Sequence, residues 1–456
     1  MTTEKDFHSN VNLDTEESAK EIRSKILQLV KEYAEISHKK KDYVSGKSFV
    51  PTSGRVYDYN EIQMLTSASL DFWLTAGRFN HEFEEKLSKL VDVKFVTTTN
   101  SGSSANLLAL SALTSDKLGD RALKEGDEVI TVAASFPTTV NPIIQNNLVP
   151  VFVDIEIPTY NIDIKLMENA ITEKTKAIML AHTLGNPFNL EKIMEIAKVH
   201  NLWVIEDCCD ALGSKYNGKM VGTFGDVSTL SFYPAHHMTM GEGGAVLTNN
   251  PIIDRAIGSI RDWGRDCFCD PGVNDTCGKR FQWNFDGLPE GYDHKFIYSH
   301  LGYNLKITDM QAAVGVAQLE KVEYFIEQRK NNFKWLKEHF KEFEEYFILP
   351  EAEVNSEPAW FGFPLTIRDN VNFTLIELNG YLFSHYVDTR PIFTGNITKQ
   401  PYFKNRKFRI VGELKNSDKM MENTFWVGVY PGLTTEMMQY VVDTVRDFIQ
   451  FKLRTI

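Results

Sequence analysis

The sequence is poor in cysteine, has no long apolar run and carries no excess of positive charge. Five cysteines among 456 residues are too few, and odd in number, for a disulfide scaffold. No stretch reaches the roughly eighteen apolar residues of a membrane-spanning helix, so no membrane partner is expected. The opening residues MTTEKDFHSN hold no apolar stretch behind a basic one, so no secretory leader is expected and the chain reads as cytoplasmic. Lys and Arg total 49 against 61 Asp and Glu, a net charge of -12. That balance argues against nucleic acid as a partner, yet leaves room for a local basic site facing an anionic substrate. No repeat, low-complexity tract or glycine-rich dinucleotide fingerprint stands out.

The chain does have enough apolar residues, 43%, for more than one core. Ile22, Ile26, Leu27, Val30 and Tyr33 recur at helical spacing, and Asp14 with Glu17 reads as that helix's start. A Gly, Pro and Ser-rich segment, 46–54, follows it. From Phe95 short apolar runs alternate with longer mixed segments. Strands are expected at 127–132, 150–153, 177–181 and 202–205. Helices or turns are expected at 107–118, 140–146 and 190–200, and one long helix at 307–326. This alternation predicts an α/β fold: a large three-layer domain with a mainly parallel mixed sheet, and a smaller C-terminal α/β domain. The expected division is a helical lead segment 1–55, a large domain 56–320 and a small domain 321–456.

Three stretches carry candidate chemistry. TTTNSGSSANLLAL, 97–110, sets small and hydroxyl residues before a helix, which suits a phosphate, although an ordinary helix cap reads the same way. VIEDCCDALGS, 204–214, places Asp207 after a strand run, where a buried carboxylate can hold a protonated ring nitrogen or cap a turn. STLSFYPAHHMTMGEGGAV, 228–246, holds Ser231 as a second phosphate candidate. It also holds His236 and His237, either a base near neutral pH or a packed pair.

In order and wording these stretches resemble the sugar aminotransferase and dehydratase family of the aspartate aminotransferase fold type. YNEIQ, NSGSSAN, VFVDIEIPTYNID, HTLGNP and GYNLKITDMQAAVGVAQLEKV extend the resemblance over nearly the whole chain after about residue 55. It implies a PLP-dependent transferase-like fold and a homodimer. It further implies that Gly102, Ser103 and Ser231 grip the cofactor phosphate, that Asp207 pairs with the pyridine nitrogen, and that Phe136 stacks on the ring. Asn304 is implied as a phosphate contact made across the dimer interface.

One departure bears on the chemistry. Where aminotransferases of this family carry the lysine that tethers pyridoxal phosphate, this chain carries His236. An imidazole makes no such tether but can move a proton. The stretch SFYPAHHMTMGEGGAV resembles the branch that uses pyridoxamine 5'-phosphate to remove the 3-hydroxyl of a nucleotide-linked 4-keto-deoxysugar. The resemblance is to CDP-linked 3-dehydrases of dideoxyhexose synthesis. TDP-linked enzymes of antibiotic pathways and a cluster-free, colitose-type dehydratase are the alternatives. An aminotransferase and a non-catalytic scaffold are the competing classes.

The cysteines form a second pattern, Cys209-x57-Cys267-x-Cys269-x7-Cys277, with Cys208 left over. Four thiolates suit two irons or one zinc, and unrelated free thiols remain open on spacing alone. The resemblance implies that the four ligate a [2Fe-2S] cluster. It also implies an NAD(P)H-dependent flavin and iron–sulfur reductase, or a ferredoxin, as electron donor. Arg261, Arg265, Lys279 and Arg280 lie nearby for a donor, the cluster or the substrate. For the sugar diphosphate, Arg78 and Arg390 are the substrate-binding candidates, since a guanidinium fork makes two directed hydrogen bonds. His182 and Tyr233 are further residues expected near the cofactor or in packing.

Overall fold

The computed structural model describes residues 13–39 and 42–454. The lead helix runs Leu13–Ser37. It begins one residue before Asp14, whose side chain is not among those described. Arg23 anchors this helix to the next, Tyr59–Asp71, by an ion pair with Asp71 at 2.7 Å. That second helix opens on a capping box, with Asp58 and Glu61 each satisfying the other's backbone N–H.

The main sheet has eight strands in the order 95–99, 244–248, 227–231, 203–207, 175–181, 128–132, 149–153 and 409–410. Only Gly244–Thr248 runs against the others. Five strands that run the same way therefore end at one rim: Thr99, Ser231, Asp207, Ala181 and Val132 are their last residues. The strands at 128–132, 149–153, 203–207, 227–231 and 244–248 are buried along their whole length. This is the burial expected of a sheet covered on both faces. The α/β fold with a large, mainly parallel mixed sheet is as the sequence predicts.

The expected strands and helices shift by a few residues at their ends, and Leu190–His200 matches its helix. Two differences are physical. The helix expected at 107–118 instead starts at Gly102 and ends at Ala112, giving way to a 3-10 turn, Asp116–Arg121. The long helix at 307–326 is two helices, Asp309–Leu319 and Val322–Phe340. Lys321 at the break turns its amine onto Glu61, 2.6 Å away.

A second core lies around a three-stranded sheet, 347–348, 362–367 and 424–428, covered by helices that include Val322–Phe340, Leu375–Ser384 and Thr435–Arg454. The partition of the chain is not strictly sequential. Val50 packs in this second core, and Arg409–Ile410 adds a strand to the main sheet. Among the described residues, no helix is long and apolar enough to cross a membrane.

Candidate active site

At the rim where the central strands end lies a cavity of about 630 Å³. Loops beyond the carboxyl ends of parallel strands are the usual place for a ligand in such a sheet. Gly102, Ser103, Phe136, Asp207, Cys209, Ser231, His236 and Arg390 all line it. Residues far apart in the chain thus meet because their strands stop at the same edge.

The phosphate end is built by close approach. Ser101 caps the helix Gly102–Ala112, its Oγ accepting from the Ser104 N–H at 3.1 Å. A side chain at Gly102 would put its Cβ 2.4 Å from the Ser231 Cβ. Glycine is therefore required for the helix start to sit against Ser231. The two hydroxyls, Ser103 and Ser231, and the helix's first N–H groups then face one opening.

Asp207 lies at the other end and is 5% exposed. Its carboxylate accepts from the Asn106 amide at 2.8 Å, the Thr139 hydroxyl at 2.7 Å and the Cys209 N–H at 3.1 Å. Asn106 is itself fixed, because its carbonyl oxygen accepts from Thr229 at 2.6 Å. A charge this buried and this well held suits an opposing cation on a bound ring. Phe136, nearly half exposed, stands on the wall with Phe393, ring centres 6.2 Å apart. A ring held at its nitrogen by Asp207, flanked by Phe136 and with its phosphate at Gly102, Ser103 and Ser231 fits this cavity. The residues present therefore fit a pyridoxal-type phosphate cofactor.

His236 lies in a turn, its N–H donating to the Tyr233 carbonyl at 2.9 Å. Its Nδ1 is 3.2 Å from Asp210 Oδ1, and both side chains are mostly buried. Beneath the turn is Arg329, 1% exposed, whose guanidinium donates to the carbonyls of His236, Ala235, Trp360 and Phe361 at 3.1–3.4 Å. Burial pulls its ionisation down to about 10, the Asp210 carboxylate opposing that shift. His237 is a different case. It is buried, its Nε2 donates to the Ala359 carbonyl at 2.6 Å, and burial and Arg329 push its ionisation well down. It is a packed neutral imidazole, and of the pair only His236 lines the cavity. No lysine lines it either.

His182 is fully buried beneath the rim, stacked on Phe188 at 4.2 Å. It pairs with Glu206, which also accepts from the N–H groups of Gly222, Phe224 and Gly225. With Cys208 these two are the one group of three metal-ligating side chains, among the described residues, whose atoms lie within 4.8 Å. His182 Nδ1 also faces the Phe188 N–H, at 3.3 Å. These atoms are committed to a structural knot. Tyr233 lines the cavity, half exposed.

Arg78 and the cluster cysteines are not brought to the expected places within this chain, and Asn304, expected to act across a dimer interface, lies outside this chain's own cavity. Arg78 opens the helix Arg78–Val91 away from the cavity, held by Asp71 at 2.8 Å. Asn304 is exposed, pairs through its backbone with Asp262 and does not reach the cavity. The four cluster cysteines are not gathered. Cys209 faces the cavity, while Cys267 and Cys269 contact each other and Cys277 Sγ is 3.8 Å from His294 Nε2. No three of the four thiols lie within 4.8 Å of one another. Burial and Asp207 push the Cys209 thiol well up. The donor chemistry suits a cluster, but the placement of these residues does not fit an assembled one.

Sequence reasoning missed Asp210, Asn106, Thr139, Arg329, Phe361, Phe393 and Trp426. Asp210 and Asn106 stood inside stretches that drew attention for other residues. Arg329 and the aromatics carry no local signal, since only the tertiary fold brings the aromatics to the rim and Arg329 beneath the turn of His236.

Residues 56–446 match the DegT/DnrJ/EryC1/StrS aminotransferase family. The chain is 60% identical over 431 residues to the lipopolysaccharide biosynthesis protein RfbH of Salmonella typhimurium, covering 94% of this chain and 99% of that protein. It is 48% identical to the dTDP-4-dehydro-2,6-dideoxy-D-glucose 3-dehydratase of Saccharopolyspora spinosa, covering 95% and 93%. Among solved structures it is similar to the E. coli GDP-4-keto-6-deoxy-D-mannose-3-dehydratase with bound hydrated PLP, with a TM-score of 0.79 and 29% identity over 87% of this chain and 99% of that one. Cavity, fold and likeness agree, and the chain belongs to the DegT/DnrJ/EryC1/StrS aminotransferase family.

Proposed function

We propose that this protein is a 3-dehydrase of a nucleotide-linked 4-keto-6-deoxyhexose, acting with pyridoxamine 5'-phosphate in the cytoplasm for dideoxysugar synthesis. The observation that carries the reading is the pairing of a complete cofactor cavity with a histidine, His236, and no lysine on its walls. Relatives named as 3-dehydratases support it.

When bound, the cofactor supplies an amine that condenses with the sugar's ketone and a ring that accepts electron density. The protein's part is to bind, orient and move a proton. Gly102, Ser103 and Ser231 hold the phosphate, Asp207 holds the ring nitrogen and Phe136 flanks the ring. With the cofactor bound, His236 would be the base that takes a proton at its C4' carbon and would return that proton to the sugar's 3-hydroxyl, which then leaves as water. Arg390 stands at the cavity on an ion pair with Asp388 and is the diphosphate candidate within this chain. In the proposed homodimer, Arg78 and Asn304 serve from outside this chain's own cavity.

The preferred substrate is CDP-linked. The relative named for a dTDP sugar favours a TDP-linked sugar as the second reading. Cys209, Cys267, Cys269 and Cys277 stand as the ligand set for a [2Fe-2S] cluster fed by a flavin and iron–sulfur reductase or a ferredoxin. Spacing supports that set, and the thiols as placed do not, so no step above depends on it.

The test is anaerobic turnover of CDP- and TDP-4-keto-6-deoxyglucose with pyridoxamine phosphate and a reducing partner, following the 3-deoxy product. Iron and acid-labile sulfide are measured in parallel. Product from the CDP sugar is expected. Amino-sugar formation instead, with pyridoxal phosphate held by a lysine, would overturn the reading.

A further inference from the structure

The helix Leu13–Ser37 precedes the residues, 56–446, that match the family, and the dehydration described above does not use it. One face of it is spent on the second helix, Tyr59–Asp71. On that face Ala34 is buried, Arg23 pairs with Asp71, the Gln63 amide donates to the Leu27 carbonyl at 2.8 Å, and the Lys31 amine lies 4.3 Å from the centre of the Tyr59 ring. The opposite face is apolar and open. Ile22, Leu29, Tyr33 and Ile36 are between 56% and 71% exposed. Large apolar side chains gathered on one exposed stripe mark a contact surface, whereas isolated ones need no explanation.

The stripe has a heptad pattern. Ala19, Ile26 and Tyr33 take its first apolar position, and Ile22, Leu29 and Ile36 take the fourth. The pattern is symmetric about its middle. Laid against an antiparallel copy of itself, it sets Ile26 against Leu29, Ile22 against Tyr33 and Ala19 against Ile36. The charges beside the stripe choose the same arrangement. Lys25 and Glu32 hold the last heptad position, on the flank away from the second helix. In an antiparallel pair that position faces its counterpart, so Lys25 of each copy meets Glu32 of the other. In a parallel pair Lys25 would face Val30 and Glu32 would face Ser37, with no charge to meet. Among the described residues, the ion pairs within this helix are Lys20–Glu16 and Lys31–Glu35. Lys25 joins neither, and Glu32 accepts only from the Gln28 amide, at 2.9 Å.

We propose that this stripe docks a second copy of the chain, the two lead helices pairing antiparallel about a dyad between Ile26 and Leu29. With the second helix of each copy behind its own lead helix, the contact becomes a four-helix layer. Its seam runs from Ala19 to Ile36, about 26 Å at 1.5 Å per residue. Apolar side chains of both copies leave water along it, and two Lys25–Glu32 pairs set its direction. The contact is isologous, so it closes on two copies. An anionic lipid surface fits the helix less well, because it carries six acids against four bases.

The experiment uses the full chain. Ile26→Cys and Leu29→Cys are carried on two co-expressed, differently tagged copies, which are oxidised and separated without reductant. The register sets these two thiols opposite each other, so the mixed-tag disulfide dimer should exceed either same-site dimer by at least about fivefold. Lys25→Glu sets Glu against Glu, and Glu32→Lys sets Lys against Lys. Each should raise the dissociation constant of self-association, measured by sedimentation velocity, about threefold to tenfold. The double exchange should return it to within about twofold, because Lys25 and Glu32 lie about 10 Å apart along one helix and meet only across the seam. A mixed-tag dimer no more abundant than the same-site forms, or no recovery in the double exchange, overturns the proposal. Leu29→Glu tests the other occupant. If it abolishes binding to phosphatidylglycerol vesicles while the sedimenting mass stays unchanged, the stripe docks on lipid and the second copy is excluded.

Discussion

Asp207 and Cys267 sit in opposite kinds of surroundings. Asp207 ends a fully buried strand, and three donors fix its carboxylate before any ligand arrives. Cys267 lies in a segment, 266–300, whose one helical element is the 3-10 turn His294–Phe296. Its thiol touches Cys269, where burial is outweighed by hydrogen bonds from Thr276 that bring the Cys269 thiol down. The Asp207 end of the cavity is therefore preorganised by the sheet, while the thiols of Cys267 and Cys269 sit on an irregular segment. The difference teaches that strand ends carry the geometry here and that sequence spacing alone does not assemble a metal site.

The sharpest break between the two regions is His236→Asn. It should suppress exchange of the cofactor's C4' hydrogen with solvent by about 10²–10⁴-fold. Cofactor binding, read from its absorbance, should be kept. Exchange at the normal rate would take His236 out of the base role. The next effect belongs to the phosphate end. Gly102→Ala places a methyl 2.4 Å from Ser231 Cβ, so pyridoxamine phosphate should bind about tenfold or more weakly, equivalent to about 1.4 kcal/mol. A fluorescence titration with unchanged affinity would show that the cradle is elsewhere.

A smaller effect concerns pH. His237 is held neutral in the folded chain, its ionisation pushed down by burial and Arg329. The unfolded chain takes up a proton there below about 6.5, and the folded chain does not. Stability from this group is thus present above that pH and falls as the pH is lowered beneath it. Urea midpoints measured from pH 7.5 to 5.5 should show this decline, and His237→Gln should flatten it. Least affected should be the first half-reaction in Cys267→Ser. C4' exchange should stay within about twofold, because the cavity wall does not include this thiol. A large loss of exchange would tie the two regions together.

The helix Leu190–His200 was legible because its apolar residues recur on one face and Asn189 caps its start. The central strands were legible as apolar runs, since burial on both faces leaves little room for polar residues. Their order was not, because hydrogen-bonded neighbours such as 95–99 and 244–248 are far apart in the chain. The strands 227–231 and 244–248 were masked by Ser, Thr and Gly, which serve the site rather than strand propensity. The family motifs pointed to Asp207, Ser231 and His236, all of which meet at the cavity. Asp210 passed unnoticed because its meaning depends on a histidine twenty-six positions later in the chain.

The guanidinium of Arg329 stitches two layers of the molecule through four carbonyl oxygens, two beside the base and two leading into the strand Gly362–Ile367. A displacement of that strand would therefore reach the turn of His236 by two routes, through these bonds and through Phe361, whose ring packs against the imidazole.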